Sequence, residues 1–152
     1  MMSLPKKRLY LDVCTLCRPF DNQQAMRIRL ETDAYYLILQ AIRRGRYEMM
    51  MSKVHFEEIY AITDIQERYE VLAILNQYGK EQVCEISQVK ARAEQLHIKG
   101  FGIADAAHIA FAEASSDVFI SCDDKLLKKC HKSHIIIPAL NPVAFAIQEE
   151  LT

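Results

Sequence analysis

At 152 residues, with 51% hydrophobic and 26% charged residues, the chain has the size of one domain and enough apolar mass for a core. A formal net charge of −1 does not mark it as a bulk polycation, and no apolar run approaches the roughly 18 residues of a membrane helix. The apolar stretch behind the basic Met1–Arg8 is too short for a secretory signal, so cytoplasmic residence away from any membrane is expected.

Five cysteines, an odd number without a signal peptide, argue against a disulfide framework. Cys14 and Cys17 form one C-x-x-C with no second pair to complete a four-thiolate zinc site. Basic residues gather locally at Lys6–Arg8, at Arg43, Arg44 and Arg46, and between Lys125 and His134. Such patches hold phosphates even in a neutral chain, and they equally suit solvated helix ends.

In chain order, Arg8–Val13 reads as a strand. Gln23–Arg44 reads as a long helix, with Leu30, Ala34, Leu37, Ile38, Ala41 and Ile42 at helical spacing and Gly45 as its stop. Tyr47–Ser52 is a strand, and Val54–Thr63 and Ile65–Tyr78 are helices. Gln82–Ile86 is a short strand and Ser87–Ile98 a helix with Ser87 as N-cap. Gly100 and Gly102 lead into a helix over Ile103–Ser115. Asp117–Ser121 is a strand, Asp123–Cys130 a short helix and Ile135–Ile137 a strand ended by Pro138. Pro142 opens a last helix to about Glu150. Short apolar strands alternating with helices define an α/β domain with a central parallel sheet covered on both faces. Ligands in such sheets bind outside the carboxyl ends of the strands.

Four carboxylates sit next to apolar segments, where an unpaired charge is costly. Asp12 follows Leu9-Tyr10-Leu11, a place that also suits a turn cap. At about 100° per residue Glu58 falls on the apolar side of its helix with Val54, Ile59 and Ile62, whereas Glu57 falls on the polar side. Asp105 lies in a helix apolar nearly all round, three residues before His108 and hence on one face with it. Helix-terminal N–H groups offer Asp105 another partner. Asp123 and Asp124 both stand at a helix start; spacing does not decide which faces the cleft. A carboxylate-only set points to a hard cation, Mg²⁺ or Mn²⁺, able to activate water at a phosphodiester.

Four segments in order resemble the PIN-domain ribonucleases found as toxins of type II toxin–antitoxin pairs. They are Leu9–Asp12, Ser52–Ile59, Ala104–Ala110 and Ile120–Asp124, followed by Asn141-Pro142. The resemblance spans nearly the whole chain as a single PIN-like domain over residues 1–152. It implies a three-layer α/β/α sandwich and Mg²⁺- or Mn²⁺-dependent hydrolysis of RNA. It implies an acidic centre of Asp12, Glu58, Asp105 and Asp123, with Asp12, Asp105 and Asp123 holding metal and Ser121, Asp124 and Arg18 as secondary positions. Homodimerisation and inhibition by a small antitoxin also follow. Cys14 stands where relatives often carry Asn, and Ser121 where Thr is usual. In the loop Arg18–Asn22, Arg18 suits either a phosphate or Asp21. Competing readings are a catalytically weak RNA- or protein-binding module of this fold, a thiol redox protein using Cys14 and Cys17, and a phosphotransfer protein using Asp12.

Overall fold

Five short strands form one parallel sheet in the order β3-β2-β1-β4-β5. They are β1 (Lys7–Leu11), β2 (Tyr47–Met51), β3 (Gly79–Glu81), β4 (Val118–Ile120) and β5 (Ala139–Leu140). The computed structural model describes residues 5–152, so the first four residues of the basic stretch and of the expected 1–152 domain lie outside the description. Among the described residues eight α-helices connect or flank the strands: α1 (Val13–Leu16), α2 (Met26–Arg43), α3 (Lys53–Tyr60), α4 (Ile65–Tyr78), α5 (Ile86–Ile98), α6 (Ile103–Ser115), α7 (Asp124–Lys132) and α8 (Pro142–Gln148).

Side chains of central β1 alternate between two cores, as the pleat requires. Leu9 and Leu11 join Ile38, Leu39 and Ile42 of α2, Val71 and Leu75 of α4 and Phe145 of α8. Tyr10 points the other way, into a cluster with Phe119, Val89 and Leu96 of α5, Ile109 of α6 and Leu126 of α7. Helices on both faces of the sheet make the expected three-layer α/β/α sandwich. Two helices end in the same way. Gly45 (φ +82°) and Gly100 (φ +106°) take the left-handed conformation after α2 and α5. Arg46 N–H then donates to Ala41 and Phe101 N–H to Leu96, closing two Schellman turns.

β1 and β4 pair with Leu11 opposite Ile120, so Asp12 and Ser121 leave the sheet side by side. β2 ends one residue before Ser52, which starts α3. The carboxyl edge of the sheet therefore carries Asp12, Ser52 and Ser121, where the rule for parallel sheets puts a site.

Departures from the sequence expectations lie at the sheet edges, on one helix face and after the first strand, where Val13 opens α1 instead of extending β1. Gln82–Ile86 is not a strand: Val83 is 97% exposed, and the edge strand is Gly79–Glu81, continuous with α4. Gly79 is required there, since a Cβ on it would lie 2.5 Å from the Leu75 backbone carbonyl oxygen and 2.6 Å from Met51 Sδ. Ile135–Ile137 is not a strand either, because Ile136 N–H donates to Glu113. Pro138, with no N–H of its own, precedes β5 instead of ending a strand, and its carbonyl accepts from Phe119 N–H. Glu85, not Ser87, holds the N-cap of α5. Leu30 faces solvent, and Glu31 takes the inward position on α2.

Candidate active site

Asp12 is the N-cap of α1, as the turn-cap reading expects, and is buried at the sheet edge. Its Oδ1 accepts from Thr15 N–H (3.1 Å), Thr15 Oγ1 (2.8 Å) and Cys14 Sγ (3.1 Å); its Oδ2 accepts from Ser121 Oγ (2.6 Å). Burial pushes the carboxyl's pKa up, and these hydrogen bonds pull against that rise. Ser121 Oγ in turn accepts from Asp123 N–H at 3.0 Å, linking β4 to the start of α7.

Asp105, half-buried in the first turn of α6, accepts no hydrogen bond among the described residues. The helix's own N–H groups therefore do not satisfy it. Its pKa is raised, first by burial and then by the negative charges of Asp12 and Asp123, with Glu58 adding to the rise and His108 opposing it. The charges of Asp12, Asp123 and Glu58 thus all act on Asp105, so the four expected acids lie within electrostatic reach of one another. Asp12, Asp105 and Asp123 form no ion pair with a Lys or Arg among the described residues.

Glu58 points inward and Glu57 outward, as helical spacing requires. The Glu58 carboxylate accepts from His108 Nε2, and that contact is the largest reason its pKa is lowered. A buried chain continues behind it: His108 Nδ1 lies 2.6 Å from the Tyr10 hydroxyl, which lies 2.7 Å from Ser52 Oγ. Burial pushes the Tyr10 pKa far up, so the phenol keeps its proton. With Tyr10 donating to Nδ1, His108 is left as an Nε2–H donor aimed at Glu58. Beside it, His55 Nδ1 accepts from Ser52 N–H and its Nε2 meets the Leu11 carbonyl at 2.7 Å. Burial lowers the His55 pKa to about 4 and keeps that ring neutral.

The remaining candidates are engaged elsewhere. Asp124 is ion-paired by both terminal Arg27 guanidinium nitrogens, which lower its pKa, whereas Asp123 caps α7 by accepting from Leu126 N–H at 3.1 Å. Arg18 donates to Asp21 and, through Nε and Nη2, to Glu31 at 3.1 and 2.8 Å. It meets both acids instead of standing free for a phosphate. Glu31, 1% exposed, also accepts from Asn141, the N-cap of α8. Sequence reasoning passed over this acid, although Ile38 and Ile42 bracket it on the helical wheel. It also passed over His55 and Tyr10, whose roles depend on partners distant in sequence. Burial pushes the thiol of Cys14 up, with Asp12 adding to the effect, and that of Cys17 up to about 12. A reactive redox dithiol needs the opposite.

The donor set is hard oxygen. Among the described residues no three Asp, Glu, His or Cys side chains are grouped so as to hold a metal ion by themselves. Carboxylate oxygens of this kind are the donors that a hard cation such as Mg²⁺ takes together with waters, whereas a closed zinc site needs nitrogen or sulfur donors.

A five-stranded parallel sheet covered by helices on both faces, with Asp12 and Ser121 at its carboxyl edge, defines the class. The chain belongs to the PIN domain family, whose model matches residues 25–132. That span contains Glu58, Asp105 and Asp123 and omits β1 and Asp12. Among solved structures the chain is similar to FitAcB from Neisseria gonorrhoeae, with TM-score 0.53, 16% identity and coverage of 88% of this chain and 97% of that one. It is also similar to PAE2754 from Pyrobaculum aerophilum, with TM-score 0.54, 14% identity and coverage of 95% and 97%. At such identities the likeness is one of fold. No curated protein matches the chain.

Proposed function

We propose that the protein is a metal-dependent endoribonuclease that hydrolyses RNA phosphodiester bonds. The observation that carries this reading is Asp105: a half-buried carboxylate, without a hydrogen-bond donor or cationic partner, facing two further acids. Leaving such charges uncompensated is expensive, and a bound cation is what compensates them. Asp12, Asp105 and Asp123 would hold Mg²⁺ or Mn²⁺, with waters completing its ligands. When bound, the ion supplies Lewis-acid activation of water and stabilises charge on the phosphoryl oxygens. Ser121, Thr15 and Cys14 fix the rotamer of Asp12. Glu58, oriented by His108, would accept one proton of the attacking water as the water oxygen bonds to phosphorus; the bond from phosphorus to the sugar oxygen breaks, and that oxygen takes a proton from solvent water. By the resemblance of its motifs the chain acts as a cytoplasmic toxin, works as a homodimer and is held in check by a small antitoxin.

The test is cleavage of structured and unstructured RNA by purified protein with Mg²⁺, Mn²⁺ or EDTA, beside an Asp105→Asn variant prepared identically. Metal-dependent cutting that disappears in the variant supports the reading. Equal cutting by both proteins removes Asp105 from the centre, and an absence of cutting favours a binding module of the same fold.

A further inference from the structure

α7 has the sharpest division of faces in the molecule. At about 100° per residue, Lys125, Lys128, Lys129 and Lys132 fall within an arc of about 100°, and Leu126, Leu127 and Cys130 occupy the opposite side. The apolar side is buried against the sheet and all four lysines are exposed. None of the four forms an ion pair among the described residues. By contrast Lys7, Arg8, Arg18, Arg27, Lys80 and Arg92 are each paired with a carboxylate. Asp124, the acid at the head of the helix, is taken by Arg27. The lysine face is thus uncompensated positive charge.

Its position adds a direction. The helix starts at its N-cap Asp123, a member of the acid cleft. One turn on, Lys129 Nζ donates to the Gly100 carbonyl at 3.0 Å, two residues before the N-cap of α6 that presents Asp105. The ridge therefore begins at the acids, lies beside the turn that carries one of them and leads away. From Lys125 to Lys132 it runs for about 10 Å along the helix axis.

We propose that this lysine ridge is the track on which a single-stranded RNA backbone lies as it enters or leaves the acid cleft. This rests on the nuclease reading for its substrate. Ammonium groups without ion pairs, gathered on one helix face, neutralise phosphates without reading bases. A positive lead-in offsets the repulsion that an acid cleft alone imposes on a polyanion.

The experiment reads binding, not cutting. Anisotropy of a 5′-labelled single-stranded RNA is titrated against salt in an Asp105→Asn background with Mg²⁺. The triple variant Lys125→Gln/Lys128→Gln/Lys132→Gln is compared with the control Lys6→Gln/Arg44→Gln, two exposed cations at the amino edge of the sheet. Lys129 is kept because of its bond to Gly100. Three lost phosphate contacts lower the slope of log affinity against log salt by about 2, which is on the order of a hundredfold in affinity at 0.1 M salt. The control leaves the slope unchanged. An unchanged slope in the triple variant, or no RNA binding in its parent, overturns the proposal. So does an oligoglutamate peptide that binds the ridge more tightly than RNA, because the ridge is then a protein-docking surface. Failure of the nuclease reading is separate: a chain that binds RNA through the ridge yet never cuts it with Asp105 intact loses the nuclease and keeps the track.

Discussion

Replacing Tyr10 with Phe removes one oxygen from the centre of the buried chain that holds Glu58. The ring is fully buried and its volume is kept, so packing against Phe119 persists. Two polar atoms lose their partner: His108 Nδ1 at 2.6 Å and Ser52 Oγ at 2.7 Å, in residues each 2% exposed. A buried group left without its hydrogen bond costs about 1–3 kcal/mol, so Tyr10→Phe is expected to destabilise by about 2–4 kcal/mol. That is a large part of the roughly 5–15 kcal/mol that holds a domain together. Urea unfolding at pH 7.5 measures it as a lower midpoint with an unchanged slope. With its Nδ1 donor gone, His108 is no longer confined to the tautomer that donates to Glu58. In the nuclease reading kcat therefore falls about tenfold while KM for RNA holds. A midpoint change worth less than about 0.5 kcal/mol, with kcat intact, would show that the chain Glu58–His108–Tyr10–Ser52 does not exist in solution.

Arg18→Ala leaves Glu31 almost wholly buried with Asn141 and a more distant Arg27, at 3.5 Å, as its remaining partners. A loss of about 2–4 kcal/mol in the urea midpoint is expected; an RNA affinity defect without that loss would return Arg18 to the phosphates. His55 has a folded pKa of about 4, below its unfolded value near 6.5, so the unfolded chain binds the proton more readily. Stability from its neutral ring is complete above about pH 6.5 and is lost as pH falls toward 4, by about 3 kcal/mol. His55→Gln is expected to flatten that part of a urea midpoint series between pH 7.5 and 4.5, and an unaltered series would contradict it. Asp105 has the opposite sign: its raised folded pKa means that the charged form opposes folding at neutral pH, and the opposition fades as pH falls through that value. In EDTA the Asp105→Asn protein is accordingly expected to melt above wild type, and added Mg²⁺ to raise only the wild-type Tm; a variant that melts lower in EDTA contradicts the crowding of acids.

The elements with a strong period were legible in the sequence. The bounds of α4 and α6 are those expected, and Asp12 stands at the end of β1 as the apolar run before it implied. β3 and β5 have three and two residues, too few to carry an alternation, and their partners decide where they form. Apolar Val83 and Ile136 drew the expectation to the wrong side of each. Within the site, the inward Glu58 could be read from helical angle. Its donor could not: His108 lies fifty residues away, and only the fold brings it there. Tyr10 reads as one more apolar strand residue until its hydroxyl is seen between Ser52 and His108. Glu31 had a signal on the wheel, but a wheel does not show that an arginine and an asparagine wait at the same spot.

The alternation of β1 ties shape to chemistry in a way that limits how this chain can vary. Leu9 and Leu11 face one layer, Tyr10 faces the other, and Asp12 comes next. A single inserted or deleted residue in β1 exchanges the layers. It sends the phenol among aliphatic side chains that offer it no acceptor, and it moves the Asp12 carboxylate out of reach of Ser121. Point substitutions on this strand can be graded, but a change of length cannot. Loops elsewhere are free to grow or shrink, whereas these five strand residues and the acid after them can only be inherited as a block.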